Sequence, residues 1–142
     1  MGVVSVVAII SKSLQNSFVS RDIIIASQLA QEGVEIVRNV RDNNFARNQP
    51  AFSGFSSGSC AVDYQNSGNS LACGGPGVRW LYGEGSFSRT VTIDLTGGGA
   101  VVRSFVWWDG FPGPGDTNSC NAETTCVYTE TFLTDWKVND TP

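Results

Sequence analysis

The chain of 142 residues contains no His. That absence removes the commonest general base, the commonest zinc ligand and the member shared by most Ser and Cys catalytic arrangements. Charge is scarce as well: 15% of residues are charged, nine basic against thirteen acidic, for a net charge of -4. A surface so poor in cations has no broad basic face to neutralise phosphates, which argues against nucleic acid as a partner. Residues 1–45 hold no Pro, and Gly occurs there only at Gly2 and Gly33, so little in that stretch interrupts a helix. Motifs are missing too. There is no GxSxG elbow, no GxxxxGK loop and no carboxylate pair in a glycosidase setting. The expectation is a protein that is not an enzyme, with no catalytic residue, metal or cofactor.

What is present is a chain of one-domain length that is 41% hydrophobic, enough for a core and unlike a disordered composition. The four Cys are Cys60, Cys73, Cys120 and Cys126. Their number is even and no CxxC pair occurs, which suits two disulfides made in an oxidising compartment better than a zinc site. Three connectivities are possible. Short loops close most readily, which favours Cys60 with Cys73 and Cys120 with Cys126, each pinning a loop outside the sheet. Four reduced, buried thiols are the alternative.

Residues 1–45 read as one long helix. Val19, Ile23, Ala26, Ala30, Val34 and Val37 recur at intervals of three and four, and Ile25, Leu29, Ile36 and Val40 widen the stripe. Glu35, Arg38 and Asp42 are spaced to pair along its surface, and fraying is expected near Asn43 and Asn44. Ile23, Ala26, Ala30, Gly33 and Val37 are the residues expected to pack on a sheet. Gly33 belongs inside this contact, because Gly costs about 1 kcal/mol in a helix interior and needs a packing reason. Residues 2–10, GVVSVVAII, are almost wholly apolar, and the first charge is Lys12. The run is shorter than the ~20 residues of a membrane span. It lacks a basic start and a small-residue cleavage site, and it reads as the back half of a longer apolar helix.

Residues 46–85 read as a linker-like, irregular connection rich in loop signals. In FSRTVTIDL, Phe87, Val91, Ile93 and Leu95 alternate with Ser88, Thr90, Thr92 and Asp94, the pattern of a half-buried strand. Gly97, Gly98 and Gly99 turn it into AVVRSFVWW, a hairpin over residues 87–108. A closing strand places Tyr128, Phe132, Trp136 and Val138 on one face. The predicted fold is α+β: a long N-terminal helix on a small antiparallel sheet, with residues 46–142 as the head. Trp80, Trp107, Trp108 and Trp136 suit either a sugar-stacking platform or core packing; packing is the reading for Trp136 and for one of the adjacent pair, leaving the other exposed. Asp109, Asp116, Asn118 and Asn121 offer oxygens to Ca²⁺, yet turn chemistry accounts for them. The sequon at Asn139, Asp140 and Thr141 is short enough to arise by chance.

A helix of this length reaches ~65 Å at 1.5 Å per residue, whereas a domain of about 100 residues has a radius of gyration of only ~13 Å. The helix must therefore protrude, and the protruding part, residues 1–20, is the more apolar one. Val3, Val4, Val6, Val7, Ile9, Ile10, Leu14 and Phe18 need a cover. Copies of the same helix provide it, since a head-to-tail contact that does not close builds a helical fibre.

Residues 13–45, SLQNSFVSRDIIIASQLAQEGVEIVRNVRDNNF, resemble the N-terminal helix of type IV pilins and pseudopilin-like proteins, and the later strands SFSRTVTIDL, SFVWWD and TFLTDW are similar to that group. The resemblance implies a structural subunit of an extracellular, cell-surface filament assembled through its N-terminal helices, with attachment or motility as its role. It also implies inner-membrane assembly machinery as a partner, and membrane contact only for a precursor before assembly. An upstream extension carrying a Gly, a hydrophobic run and a Glu is expected. The alternatives are a pseudopilin of a type II secretion-like system and a secreted carbohydrate-binding module.

Overall fold

The computed structural model describes residues 2–63, 70–74, 78–81, 87–110, 113–114, 117–121 and 123–135, with helix side chains described from Val7 onward except Ala8. The expectations placed on Asp116, Trp136, Val138, the sequon and the side chains of Val3, Val4, Val6 and Trp80 lie outside the described residues.

One helix, α1, runs over Gly2–Ala46. Six strands follow among the described residues: β1 (Gly58–Asp63), β2 (Ser70–Cys73), β3 (Val78–Leu81), β4 (Phe87–Thr96), β5 (Gly99–Trp108) and β6 (Cys126–Thr134). All described pairings are antiparallel, in the order β2-β1-β4-β5-β6, with β3 also paired to β4. The fold is α+β. The hairpin over residues 87–108 forms with Thr96 opposite Gly99 and Phe87 opposite Trp108. Residues 46–85 depart from the irregular connection expected of them, because β1, β2 and β3 lie there. These strands are four to six residues long, too short to show alternation above the surrounding Gly and Ser.

The helix ends in a Schellman arrangement rather than by fraying. Asn48 adopts φ 56°, the amide of Asn48 bonds to the Phe45 carbonyl, and that of Gln49 bonds to the Asn44 carbonyl. A left-handed Asn at this position satisfies carbonyls the helix would otherwise orphan. Asn44 itself is buried, and its Nδ2 donates to the carbonyls of Ala51 at 3.0 Å and Ser53 at 2.9 Å. It clamps the chain as it turns toward the sheet.

Two apolar clusters bind helix to sheet. Near the helix C-terminus, Val34, Ile36 and Val37 pack with Val62, Val91, Ile93, Val102 and Leu133; one level toward the N-terminus, Ala26, Leu29 and Ala30 pack with Phe87, Val106 and Trp108. A polar layer lies between them. Arg89, only 1% exposed, donates to the Leu29 carbonyl at 3.0 Å and the Val62 carbonyl at 3.2 Å, and Glu32 of the helix approaches its guanidinium at 3.7 Å. The alternation that places Phe87, Val91 and Ile93 inward also places Arg89 inward; a cation there is tolerated because it is hydrogen-bonded and paired.

Gly33 sits against this layer. A Cβ built on it would collide with Ser104 Oγ and lie 3.1 Å from Arg89 Cδ and 3.2 Å from Ser104 Cβ. The missing side chain lets the helix approach the sheet closely. Leu95 shares the inward side of β4 yet is partly exposed.

The disulfides are Cys60–Cys73 and Cys120–Cys126, the local pairing that loop closure favours. Their placement corrects one expectation. Cys60 and Cys73 are directly opposed on β1 and β2 and join the inner core, so this bond staples the sheet rather than a loop outside it. Cys120–Cys126 ties the loop before β6 to the sheet's outer face, where Cys126 packs with Phe105 and Trp107.

Gly33→Ala should lower stability by about 1–2 kcal/mol, because overpacking of roughly 1–3 kcal/mol outweighs a helix-propensity gain of about 1 kcal/mol. Adding Ser104→Ala should recover part of the loss, since it removes the nearest colliding atom and a buried hydroxyl that has no hydrogen-bond partner among the described residues. Thermal melts of the two variants check this; a stabilised Gly33→Ala would show the helix is not held at the distance described.

Candidate assembly surface

The helix packs on the sheet from about Ile25 to Phe45 and leaves residues 7–24 with no described side chain buried. At 1.5 Å per residue the 45-residue helix is ~67 Å long. Val7, Ile10, Leu14 and Phe18, spaced by three and four, form one stripe of this free part, and Ile9, Val19, Ile23 and Ile24 lie around it. All eight are exposed, from 42% for Ile23 to 69% for Ile9. Ala26, Ala30, Gly33 and Val37 are buried on the sheet as expected, but Ile23 is not. It lies one turn before the packed stretch, on the rim of a groove of about 390 Å³ formed with Trp108, Cys126, Val127 and Tyr128.

The polar residues of the free helix are small or uncharged for the most part. Ser17 turns its hydroxyl back onto the Ser13 carbonyl, which occupies its donor within the helix. Residues 1–21 carry two cations, Lys12 and Arg21, and no acid; the remaining chain carries seven basic and thirteen acidic residues. The free helix is thus complementary in sign to the rest of another copy. Among the described residues no helix is long and apolar enough to cross a membrane.

Full burial of a Val, Leu, Ile or Phe side chain contributes about 1.5–3 kcal/mol. Eight half-covered side chains then offer on the order of 10 kcal/mol, against association costs of about 4–15 kcal/mol. A single partner that covers one side of the helix barely offsets its own cost. Several neighbours sharing the surface do better, because apolar residues lie on more than one side of the free helix.

One sequence expectation for the head is changed by the structure. Trp107 and Trp108 do point to opposite sides of β5, but both are buried: Trp108 packs under the helix, and Trp107 lies under the following loop, where a Cβ on Gly113 would be 3.3 Å from its ring. Neither offers a stacking platform. Tyr128 and Phe132 do share a face of β6, the outer one, where Phe132 is 53% exposed. The Glu35–Arg38 ion pair forms as spaced, whereas Asp42 pairs with Arg41. Asn121 accepts from the Glu123 amide and bonds to Thr124, as turn chemistry requires. Among the described residues no group of three His, Cys, Asp or Glu gathers to hold a metal ion.

The chain matches no protein-family model, no curated protein and no solved structure.

Lys12 and Arg21 are the trypsin sites of the free helix. In dispersed protein they should be cut before Arg89, which is buried, and in assembled material they should resist by at least about tenfold, as local exposure sets cleavage. Equal cleavage in both states would show that assembly leaves the helix uncovered.

Proposed function

We propose that the chain is a structural subunit of an extracellular filament of the type IV pilus kind, held together by packing of its N-terminal helices. The observation that supports this reading most directly is the exposed apolar surface of residues 7–24 on a helix that extends past its own sheet. A monomer in water rarely leaves so large an apolar surface open, and a heterologous contact repeated along an axis buries it in every copy but the last. Two disulfides suit a product that works outside the cell, and the resemblance of residues 13–45 to pilin helices agrees with both. In this reading the head, residues 46–142, faces outward and supplies surface attachment or motility, while an inner-membrane machine feeds subunits from a membrane-held precursor. The protein is a scaffold, without an enzymatic step or a cofactor.

Electron microscopy of the native assembled material tests the reading, and ordered filaments are expected. Ile9→Asp or Leu14→Asp should abolish them and leave the head folded, because the charge is desolvated only in the assembled state. Circular dichroism and a thermal melt report on the head; a protein that stays monomeric in its native setting, or filaments that tolerate both substitutions, would contradict it.

A further inference from the structure

The sheet face opposite the helix carries a cleft of about 310 Å³, lined by Ser59, Thr90, Thr92, Arg103 and Phe105 on its floor and by Pro114 and Thr117 on its wall. Strand register explains why these residues meet. Thr92 is opposite both Ser59 and Arg103, and Thr90 is opposite Phe105, so three neighbouring strands bring side chains of one parity to one spot. The volume lies at the lower end of the ~300–1,000 Å³ typical of small-molecule sites.

We propose that this cleft binds a neutral sugar ring. Its lining is rich in hydroxyls, from Ser59, Thr92 and Thr117, each able to donate and accept. Thr90 lies in the floor beneath them, with its Oγ1 buried out of a ligand's reach and without a hydrogen-bond partner among the described residues. Arg103 is held in place from two sides, its Nε by Glu130 and its Nη1 by Asp94 at 3.6 Å. One cation between two carboxylates leaves the locality negative by one charge, which disfavours phosphate, sulfate and acidic sugars. Pairs of this kind present fixed donors and acceptors to a ligand's hydroxyls. Phe105, buried at 3% exposure and stacked on Tyr128 with ring centroids 5.5 Å apart, closes the floor with carbon and leaves the hydroxyls as the groups a ligand meets.

The described residues beside the wall are held to the sheet. The Cys120–Cys126 bond ties its far end to β6, Thr125 and Trp108 exchange hydrogen bonds at 2.7 and 3.0 Å, and Gly113 lies against the Trp107 ring. The site stands apart from the filament reading: it lies on the side of the sheet away from α1, so helix-mediated assembly leaves it open, and a lone subunit would present it equally.

Saturation-transfer NMR on the full chain, dispersed in a polyoxyethylene detergent that carries no sugar, tests the proposal with the methyl glycosides of glucose, galactose and mannose, N-acetylglucosamine and glucuronate. At least one neutral sugar is expected to bind with a Kd near or below about 10 mM. The double variant Ser59→Ala with Thr92→Val should weaken it by about tenfold or more with an unchanged melting temperature. Absence of binding by every neutral sugar, binding untouched in the double variant, or glucuronate binding at least as well as the neutral sugars would each overturn it.

Discussion

The structure depends on a mismatch in length. A helix of 45 residues is laid on strands of at most ten, about 67 Å against about 33 Å, and no arrangement of one copy can cover the excess. Everything C-terminal in the helix is organised to anchor it: the buried Asn44, the left-handed Asn48, two apolar clusters and a polar layer. N-terminal to it, no described side chain of residues 7–24 is buried by its own chain, and the apolar ones stand exposed. Anchor and overhang are consequences of one continuous element, so a force on the free end is transmitted to the sheet without a hinge.

The polar layer fixes where the helix sits along the sheet. Arg89 needs the Leu29 and Val62 carbonyls as acceptors, and a shift that takes them away leaves a buried donor unmet, at about 1–3 kcal/mol or more. Gly33 must lie beside Ser104 for the backbones to come this close. A slip of one helical turn would carry Leu29 ~5 Å from Arg89 and place a side chain where only Gly fits. Apolar clusters alone tolerate such slips, because they are non-directional; here the hydrogen bonds and the missing Cβ select one register.

Much of this architecture is legible in the sequence. The three-and-four spacing over residues 26–37, the absence of Pro before Pro50 and the alternation of Phe87, Val91 and Ile93 report directly on helix and strand, because burial on one face leaves a period. Gly33 is legible by its cost. The short strands β1 to β3 are not, since four to six residues with Gly, Ser and Cys give no clear period. Arg89 hides in plain view: alternation puts it inward, but its charge argues outward, and only the carbonyls of two distant segments resolve the conflict. The burial of Trp107 depends on a Gly/Pro loop folding back over the outer face, a tertiary contact without a local signature. The free helix is legible as apolar; that residues 7–24 are uncovered follows only once the sheet's extent is known. The cleft is the least legible feature, because Ser59, Thr92 and Arg103 meet through register rather than spacing.

In the filament account, copies bury one another's free helices and leave the heads facing outward. The central claim is that Val7, Ile10, Leu14 and Phe18 of one copy touch the same stretch of other copies. Solid-state NMR on assemblies mixed from two differently labelled pools reads such contacts directly. The account expects cross-peaks between pools from these four side chains and none from Val37 or Val91, which are buried within a single copy. Assemblies whose contacts between pools arise only from the head, with the stripe silent, would contradict it.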